Sequence, residues 1–250
     1  MQINNKTILI SGVGKGIGYE VFLKCVKNAK FTLGIVRNKK DYQRLSKLSE
    51  KKNFKLFLGD VKNDSLIKGI LKFSIKNKII IDGLVNNAGE RQRIDFLNIN
   101  KRKLKHIFEN NFFSHFFLTQ VLINEFLKKK NNNFSIVNIG SIVGVNGFNQ
   151  LSGYASTKQA LEGFTKSIAI EFANKNIRAN IIHPGFIKTS YFENFKKNKK
   201  EIFKWTLSRT PMRKWGDPKD ISNLVCFLLS DDSNYITGQS INCDGGWTSG

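Results

Sequence analysis

The sequence predicts an α/β domain: a doubly wound parallel sheet of seven strands with helices on both faces, in three layers. Three observations point there. Short apolar runs alternate with stretches of helical spacing from the first residues to nearly the last. A glycine-rich turn follows the first run directly and opens the first helical stretch. The chain has 250 residues, 40% of them hydrophobic, enough for one sizeable core and a single domain over residues 1–250. Strands are read at Thr7–Ser11, Phe31–Val36, Lys55–Leu58, Ile80–Asn86, Phe134–Gly140, Arg178–His183 and Ser240–Asn242. Helical stretches lie between them at Ile17–Val26, Tyr42–Leu48, Ser65–Ile75, Leu104–Leu127, Ala155–Phe172 and Ile221–Leu229. Such alternation makes parallel neighbours joined by right-handed crossovers, and the ligand then lies beyond the carboxyl ends of the strands.

Composition excludes several classes. Apolar and aromatic residues occur throughout, which excludes disorder, and no apolar run approaches the ~18 residues of a membrane-spanning helix. The polar start runs straight into a strand, so no signal peptide is expected. Cys25, Cys226 and Cys243 are odd in number and far apart, as in a reducing cytoplasm, with neither a disulfide framework nor a zinc site. His106, His115 and His183 lack metal-ligand spacing, so no metal is expected; His115, in an aromatic helix, reads as core. The charge is extreme: 41 basic against 19 acidic residues gives +22. That would suit a polyanion. With 33 Lys and only 8 Arg, however, base readout is disfavoured, and the crowding of Lys, Asn, Ile and Phe is what codon drift in an AT-rich genome leaves behind.

The first turn reads Ser11-Gly12-Val13-Gly14-Lys15-Gly16-Ile17-Gly18. Glycines here let the backbone approach a pyrophosphate whose charge sits against a helix N-terminus. The pattern is G-x-x-x-G-x-G rather than the strict G-x-G-x-x-G. After the second strand the window Ile35-Val36-Arg37-Asn38 lacks the acid that would bond a ribose 2′-hydroxyl. Lys15 and Arg37 instead converge where a 2′-phosphate would lie, which points to NADP(H) rather than NAD(H). The long stretch from Pro184 to Asp217 carries Phe186, Tyr191, Phe192, Phe195, Phe203, Trp205 and Trp215 among many lysines. It reads as a lid over roughly 186–216 and, more plainly, as a pair of short helices packed on the body; the two are compatible, since a lid needs an apolar underside.

Over nearly its whole length the chain resembles the short-chain dehydrogenase/reductase family, whose fold is Rossmann-type. The glycine turn matches that family with Ser11 in place of Thr. Asp60 stands where the family's acid contacts adenine, with Val61 beside it, and Asn86-Asn87-Ala88-Gly89 is its N-N-A-G. Asn111, Ser141 and Tyr154-Ala155-Ser156-Thr157-Lys158 supply the family's Asn, Ser and Y-x-x-x-K. Pro184-Gly185, Ile187 and Thr189 match the segment that holds the nicotinamide. The resemblance implies a cofactor half over about 1–140 and a catalytic and substrate half over about 141–250. It further implies a homotetramer or homodimer through the fourth and fifth helices and the C-terminal region.

Residue chemistry agrees. Tyr154 and Lys158 are four apart and share one helix face. A phenol with a pKa near ~10 needs a neighbouring cation to work at neutral pH. Tyr154 would protonate a ketone oxygen, Ser141 would bond that oxygen, and Asn111 would hold a water linking Lys158 to bulk. Within the family the tail from Asp217-Pro218 to Asp244-Gly245-Gly246-Trp247 is most similar to that of the 3-oxoacyl-[acyl-carrier-protein] reductases, whose acidic carrier would suit a basic rim at Lys128–Lys130 and Lys196–Lys200. Ile170 stands where a docking arginine is expected, and Glu90-Arg91-Gln92-Arg93 is unusually charged for a fatty-acyl mouth. A sugar, polyol or secondary-metabolite ketone is therefore the alternative substrate. A nucleic-acid-binding protein on a borrowed scaffold is a remote one, because it has no use for the four catalytic residues.

Overall fold

A computed structural model describes residues 2–48, 53–128, 133–190 and 192–250. Seven parallel strands form one sheet in the order β3-β2-β1-β4-β5-β6-β7. They are β1 (Thr7–Ser11), β2 (Phe31–Val36), β3 (Phe54–Leu58), β4 (Gly83–Asn86), β5 (Phe134–Ile139), β6 (Ile177–Pro184) and β7 (Ser240–Cys243). Alternation along each strand feeds two cores. On one face Ile8, Ile10, Val85 and Val137 pack with Phe22 of α1 (Gly16–Asn28), while Leu9, Leu84 and Ile136 point to the other face. The chain reverses direction of winding between β1 and β4, so the crevice opens where those two strands end, at Ser11 and Asn86.

Helices α2 (Lys39–Ser46), α3 (Asp64–Lys76), α4 (Lys101–Phe108) and α5 (Ser114–Lys128) follow in the first half. In the second half come a single turn α6 (Ile142–Val145), α7 (Ser152–Phe172), α8 (Phe192–Asn198), α9 (Lys200–Arg209) and α10 (Pro218–Leu229). Two expectations need correction. The stretch Leu104–Leu127 is not one α-helix, because a π turn at Glu109–Phe113 separates α4 from α5 and turns Asn110 and Asn111 inward, both buried. The fourth strand joins the ladder only at Gly83; ahead of it Asp82 turns its carboxylate to the Thr7 N–H at 2.8 Å. The stretch after Pro184 contains two short helices, as the packed-helix reading expects, and this is compatible with a lid. Tyr191 and most of the basic turn read at Lys128–Lys130 and 131–133 lie outside the described residues.

Candidate active site

At the end of β1, Gly12 and Gly16 adopt φ of +73° and +61°, which lets the chain turn sharply into α1. Asn87 clasps this turn from just beyond β4: its Nδ2 donates to Ser11 O at 3.1 Å and Gly12 O at 3.0 Å. The Ser11 hydroxyl accepts the backbone N–H groups of Asn87 and Ala88, each at 3.0 Å, so serine does the bonding expected of threonine. A Cβ on Gly12 would meet Ala88 Cα at 2.8 Å, and one on Gly18 would overlap the Asn87 amide and the Gly12 carbonyl. Helix α1 begins with no side-chain cap and no acid in its first turn. Its free N–H groups and dipole therefore suit the pyrophosphate of a dinucleotide, and the residues present fit the group.

Around this turn the structure gathers most of the sequence-predicted residues. Lys15 precedes α1 and Gly14 abuts Asp41. Arg37, largely exposed, reaches Asp60 at 3.9 Å; the Asp60 carboxylate also accepts the Lys62 N–H at 3.0 Å. Val61 is buried behind them. The sequence reading missed Asp41 and Arg44. The Arg44 guanidinium bonds both the Gly14 carbonyl and Asp41, so the acid beside the turn is already neutralised. From the other side Thr189 faces Gly16, at 3.3 Å from a Cβ placed there. Ile187 is tied to Gly216 by a parallel bridge, and Gly185 passes so close to Asp244 that a Cβ would lie 2.7 Å from its Cα.

The candidate catalytic residues converge across the crevice. Ser141 follows β5 and caps α6, its hydroxyl accepting the Val143 N–H at 3.1 Å. Tyr154 and Lys158 share a face of α7, with Nζ 5.9 Å from the Tyr154 ring centroid. Lys158 is buried, donates to the Ile139 carbonyl at 2.7 Å, and is pushed down to about 8 by burial. Burial pushes the Tyr154 phenol up, opposed by a hydrogen bond from Ser141 and by the positive charge of Arg91. Asn111 is anchored by its side chain. Its amide exchanges two 2.9 Å bonds with the backbone of Glu90 and donates to Thr157 Oγ1 at 3.3 Å, so the side chain bolts the loop after Gly89 to α7.

That loop is fixed at its far end as well. Ile94 N–H donates to Gln150 O at 2.8 Å, Arg93 to Gln150 Oε1 at 2.9 Å, and Gln150 to Asp95 at 2.6 Å. Arg91 lies between the two anchors, exposed, with its charge acting on Tyr154. Its sequence gave a signal only as part of the charged Glu90–Arg93 run. Aromatic side chains wall the opposite side: the Trp247 ring lies 5.0 Å from Phe186, 5.3 Å from Trp205 and 5.9 Å from Phe148 between ring centroids. His115 is core as expected, and burial and the Lys158 charge push it down to about 3. Among the described residues no group of three or more His, Cys, Asp or Glu side chains is placed to hold a metal ion, and no helix is long and apolar enough to cross a membrane.

A phosphate-cradling turn at the switch point of a doubly wound sheet, opposite a Ser/Tyr/Lys set, defines a nicotinamide-dependent oxidoreductase acting on alcohol or carbonyl groups. The chain belongs to the short-chain dehydrogenase/reductase family: a family profile described as enoyl-(acyl carrier protein) reductase matches residues 12–248. It is 33% identical over 248 residues to the 3-oxoacyl-[acyl-carrier-protein] reductase FabG of Buchnera aphidicola, covering 98% of each chain. Among solved structures it superposes on ElxO with NADP bound, with a TM-score of 0.90 and 31% identity over 98% of this chain and 100% of that one. It also superposes on 4-hydroxyisoleucine dehydrogenase complexed with NADH, with a TM-score of 0.89 and 30% identity, again over 98% and 100%.

Proposed function

We propose that this protein is an NADPH-dependent ketone reductase of the 3-oxoacyl-[acyl-carrier-protein] reductase kind. The observation that carries it is the convergence of Ser141, Tyr154 and Lys158 on the crevice that opens at the glycine turn. When bound, the nicotinamide supplies the hydride. Ser141 and Tyr154 hold the ketone oxygen, and Tyr154 gives it a proton as negative charge develops there. Lys158 stabilises the phenolate left behind and bonds the ribose, while Asn111 keeps α7 in register with the loop after Gly89. Ser11, Gly12, Gly14, Gly16, Ile17 and Gly18 cradle the pyrophosphate. Asp60 and Val61 receive adenine, and Asn87, Ala88 and Gly89 line the cleft. Pro184, Gly185, Ile187 and Thr189 hold the carboxamide end. Lys15 and Arg37 favour the 2′-phosphate, since Asp41 is already paired with Arg44.

The exposed lysines of α8 and α9 suit an acidic carrier. Phe113, Phe117 and Ile170, exposed on and beside α5 and on α7, suit a homotetramer or homodimer; a cytoplasmic setting fits the free cysteines. The test is NADPH consumption with a β-ketoacyl thioester. Tyr154→Phe should cut turnover by about 10³-fold while leaving NADPH binding intact; an unchanged rate removes the proposed acid.

Arg91 favours a second reading, a compact ketone bearing its own negative charge. The name of 4-hydroxyisoleucine dehydrogenase denotes a carboxylate-bearing substrate, and an exposed guanidinium whose charge acts on the catalytic phenol suits one here. Comparing a β-keto acid with its methyl ester decides between the two. A loss of about tenfold or more in kcat/KM for the acid alone in Arg91→Gln supports the charged substrate, and equal losses for both exclude it.

A further inference from the structure

Ser141 is gripped from behind by a side chain that neither the metal-spacing argument nor the catalytic set takes up. His183, fully buried in β6, places Nδ1 3.2 Å from the Ser141 backbone nitrogen and 3.1 Å from the Ser141 carbonyl oxygen. Its other ring nitrogen, Nε2, lies 3.3 Å from Glu162 Oε2 and has no hydrogen-bond partner in good alignment. Glu162 sits on α7 one turn beyond Lys158, its other oxygen held by Lys166 at 2.6 Å, and it takes a further hydrogen bond from Ser240. Gly140 makes the room: a Cβ there would lie 2.6 Å from His183 Nδ1. The turn between β5 and α6, strand β6 and helix α7 thus meet at one imidazole.

A neutral imidazole carries one N–H, and which nitrogen holds it is set by the neighbours. A carboxylate beside Nε2 favours the hydrogen there, which leaves Nδ1 as an acceptor for the Ser141 N–H. We propose that His183, oriented by Glu162, is a positioning residue that fixes the Ser141 peptide and so aims the Ser141 hydroxyl at the ketone oxygen. The proposal rests on the ketone-reductase reading above. The opposite tautomer would donate from Nδ1 to the Ser141 carbonyl and leave the Ser141 N–H without its acceptor. Burial keeps the ring neutral, holding His183 below the usual histidine range with help from the Lys158 and Lys166 charges, against the Ser141 hydrogen bond and the Glu162 charge. Glu162 stays ionised: burial pushes it up, but the bonds from Lys166 and Ser240 and the nearby His183 outweigh that and hold it low.

The test is a double-mutant cycle in the full chain. His183→Ala should lower kcat by about tenfold or more, with KM and NADPH affinity within about twofold of wild type. His183→Asn, whose amide oxygen can take the place of Nδ1, should recover most of the rate, and Glu162→Gln should lose part of it. In a Ser141→Ala background His183→Ala should add less than about twofold, because the hydroxyl it aims is gone. Equal losses in both backgrounds, or an unchanged kcat, overturn the proposal. Should His183→Ala fail to fold, Glu162→Gln and His183→Asn complete the cycle. Nitrogen-15 NMR of the wild-type ring is independent of turnover: Nε2–H is expected, and Nδ1–H overturns the proposal. A wild type inactive on every ketone would sink the functional reading instead, with the tautomer still judging the grip on Ser141.

Discussion

Gly18 offers a test in which two physical arguments predict opposite signs. It lies in the first turn of α1, without positive φ, so an alanine there is conformationally acceptable. Helix propensity alone predicts that Gly18→Ala stabilises by up to about 1 kcal/mol. Packing predicts a loss. The new methyl would overlap the Asn87 amide nitrogen and the Gly12 carbonyl oxygen, the two atoms that close the turn. A backbone carbonyl cannot retreat, so Asn87 must leave or α1 must slide. Leaving forfeits two hydrogen bonds of about 1 kcal/mol each and strands polar atoms at a further cost of about 1–3 kcal/mol. The net is about 3 kcal/mol, roughly a hundredfold in cofactor affinity if the loss falls on the bound form. NADPH fluorescence titration measures the affinity, and thermal melting by circular dichroism shows whether the fold shares the loss. Asn87→Ala should reproduce most of the defect, and adding it to Gly18→Ala should cost little more. If Gly18→Ala binds NADPH within twofold of wild type and melts no lower, the clasp is not what shapes the cofactor turn.

Other expectations follow from single contacts. Arg37→Ser should raise KM for NADPH by about tenfold or more and leave NADH unchanged, because its largely exposed guanidinium, in a loose 3.9 Å pair with Asp60, can turn to a 2′-phosphate; steady-state kinetics with both cofactors decides it. His115 should make the fold acid-sensitive. Its folded value, about 3, lies below the unfolded value of 6.5, so the unfolded chain takes up the proton first and stability falls as pH drops from about 6.5 towards 3. Between pH 6.5 and 4.5 that amounts to about 2.5 kcal/mol, and His115→Leu should remove it from urea unfolding curves. Arg178 is buried at the start of β6 and donates to Leu228 O, Ser230 O and Ile236 O at 2.9–3.2 Å. Arg178→Met should destabilise by about 3 kcal/mol, read from the same curves, since it removes three hydrogen bonds of about 1 kcal/mol each, while Ser135, Ser233 and Asn180 still donate to those carbonyls.

Most of the fold was legible because its elements are local. The period of Ile8, Leu9 and Ile10 marks β1, and Ser11 to Gly18 announces a turn wherever it stands. Tyr154 and Lys158 were legible for the same reason, since four residues on a helix fix their shared face. What the sequence hid depends on partners distant along the chain. The π turn at Glu109–Phe113 brings Asn111 to Glu90 and Thr157, 21 and 46 residues away, whereas its own apolar spacing continues the helical pattern through it. Asn87 was readable as part of N-N-A-G, but not its hold on a carbonyl 75 residues away. His183 looked inert because its partners, Ser141 and Glu162, come from the turn after β5 and from α7. Arg91 was visible only as excess charge, for no local pattern says that the loop after Gly89 is bolted at Asn111 and Gln150.

The net charge of +22 leads to the last prediction, because its placement separates drift from use. Lys62, Lys101, Arg102 and Lys105 line one open basin with His106 and Glu109, between the turn after β3 and helix α4. That basin adjoins Asp60, where adenine is proposed to sit, and Lys62 belongs to the same turn. A dinucleotide phosphate approaching the crevice would feel these cations before any contact forms, since the screening length is about 10 Å at 0.1 M salt. Raising NaCl from about 20 to 300 mM should therefore slow NADPH association several-fold in stopped-flow fluorescence. Lys62→Gln, Lys101→Gln and Lys105→Gln together should flatten that dependence markedly while leaving the dissociation rate unchanged. A control triple of Lys68→Gln, Lys72→Gln and Lys76→Gln on α3 removes as much charge without touching the basin. If the two triples flatten the salt dependence equally, only the net charge matters, and the lysines at the rim are drift like the rest.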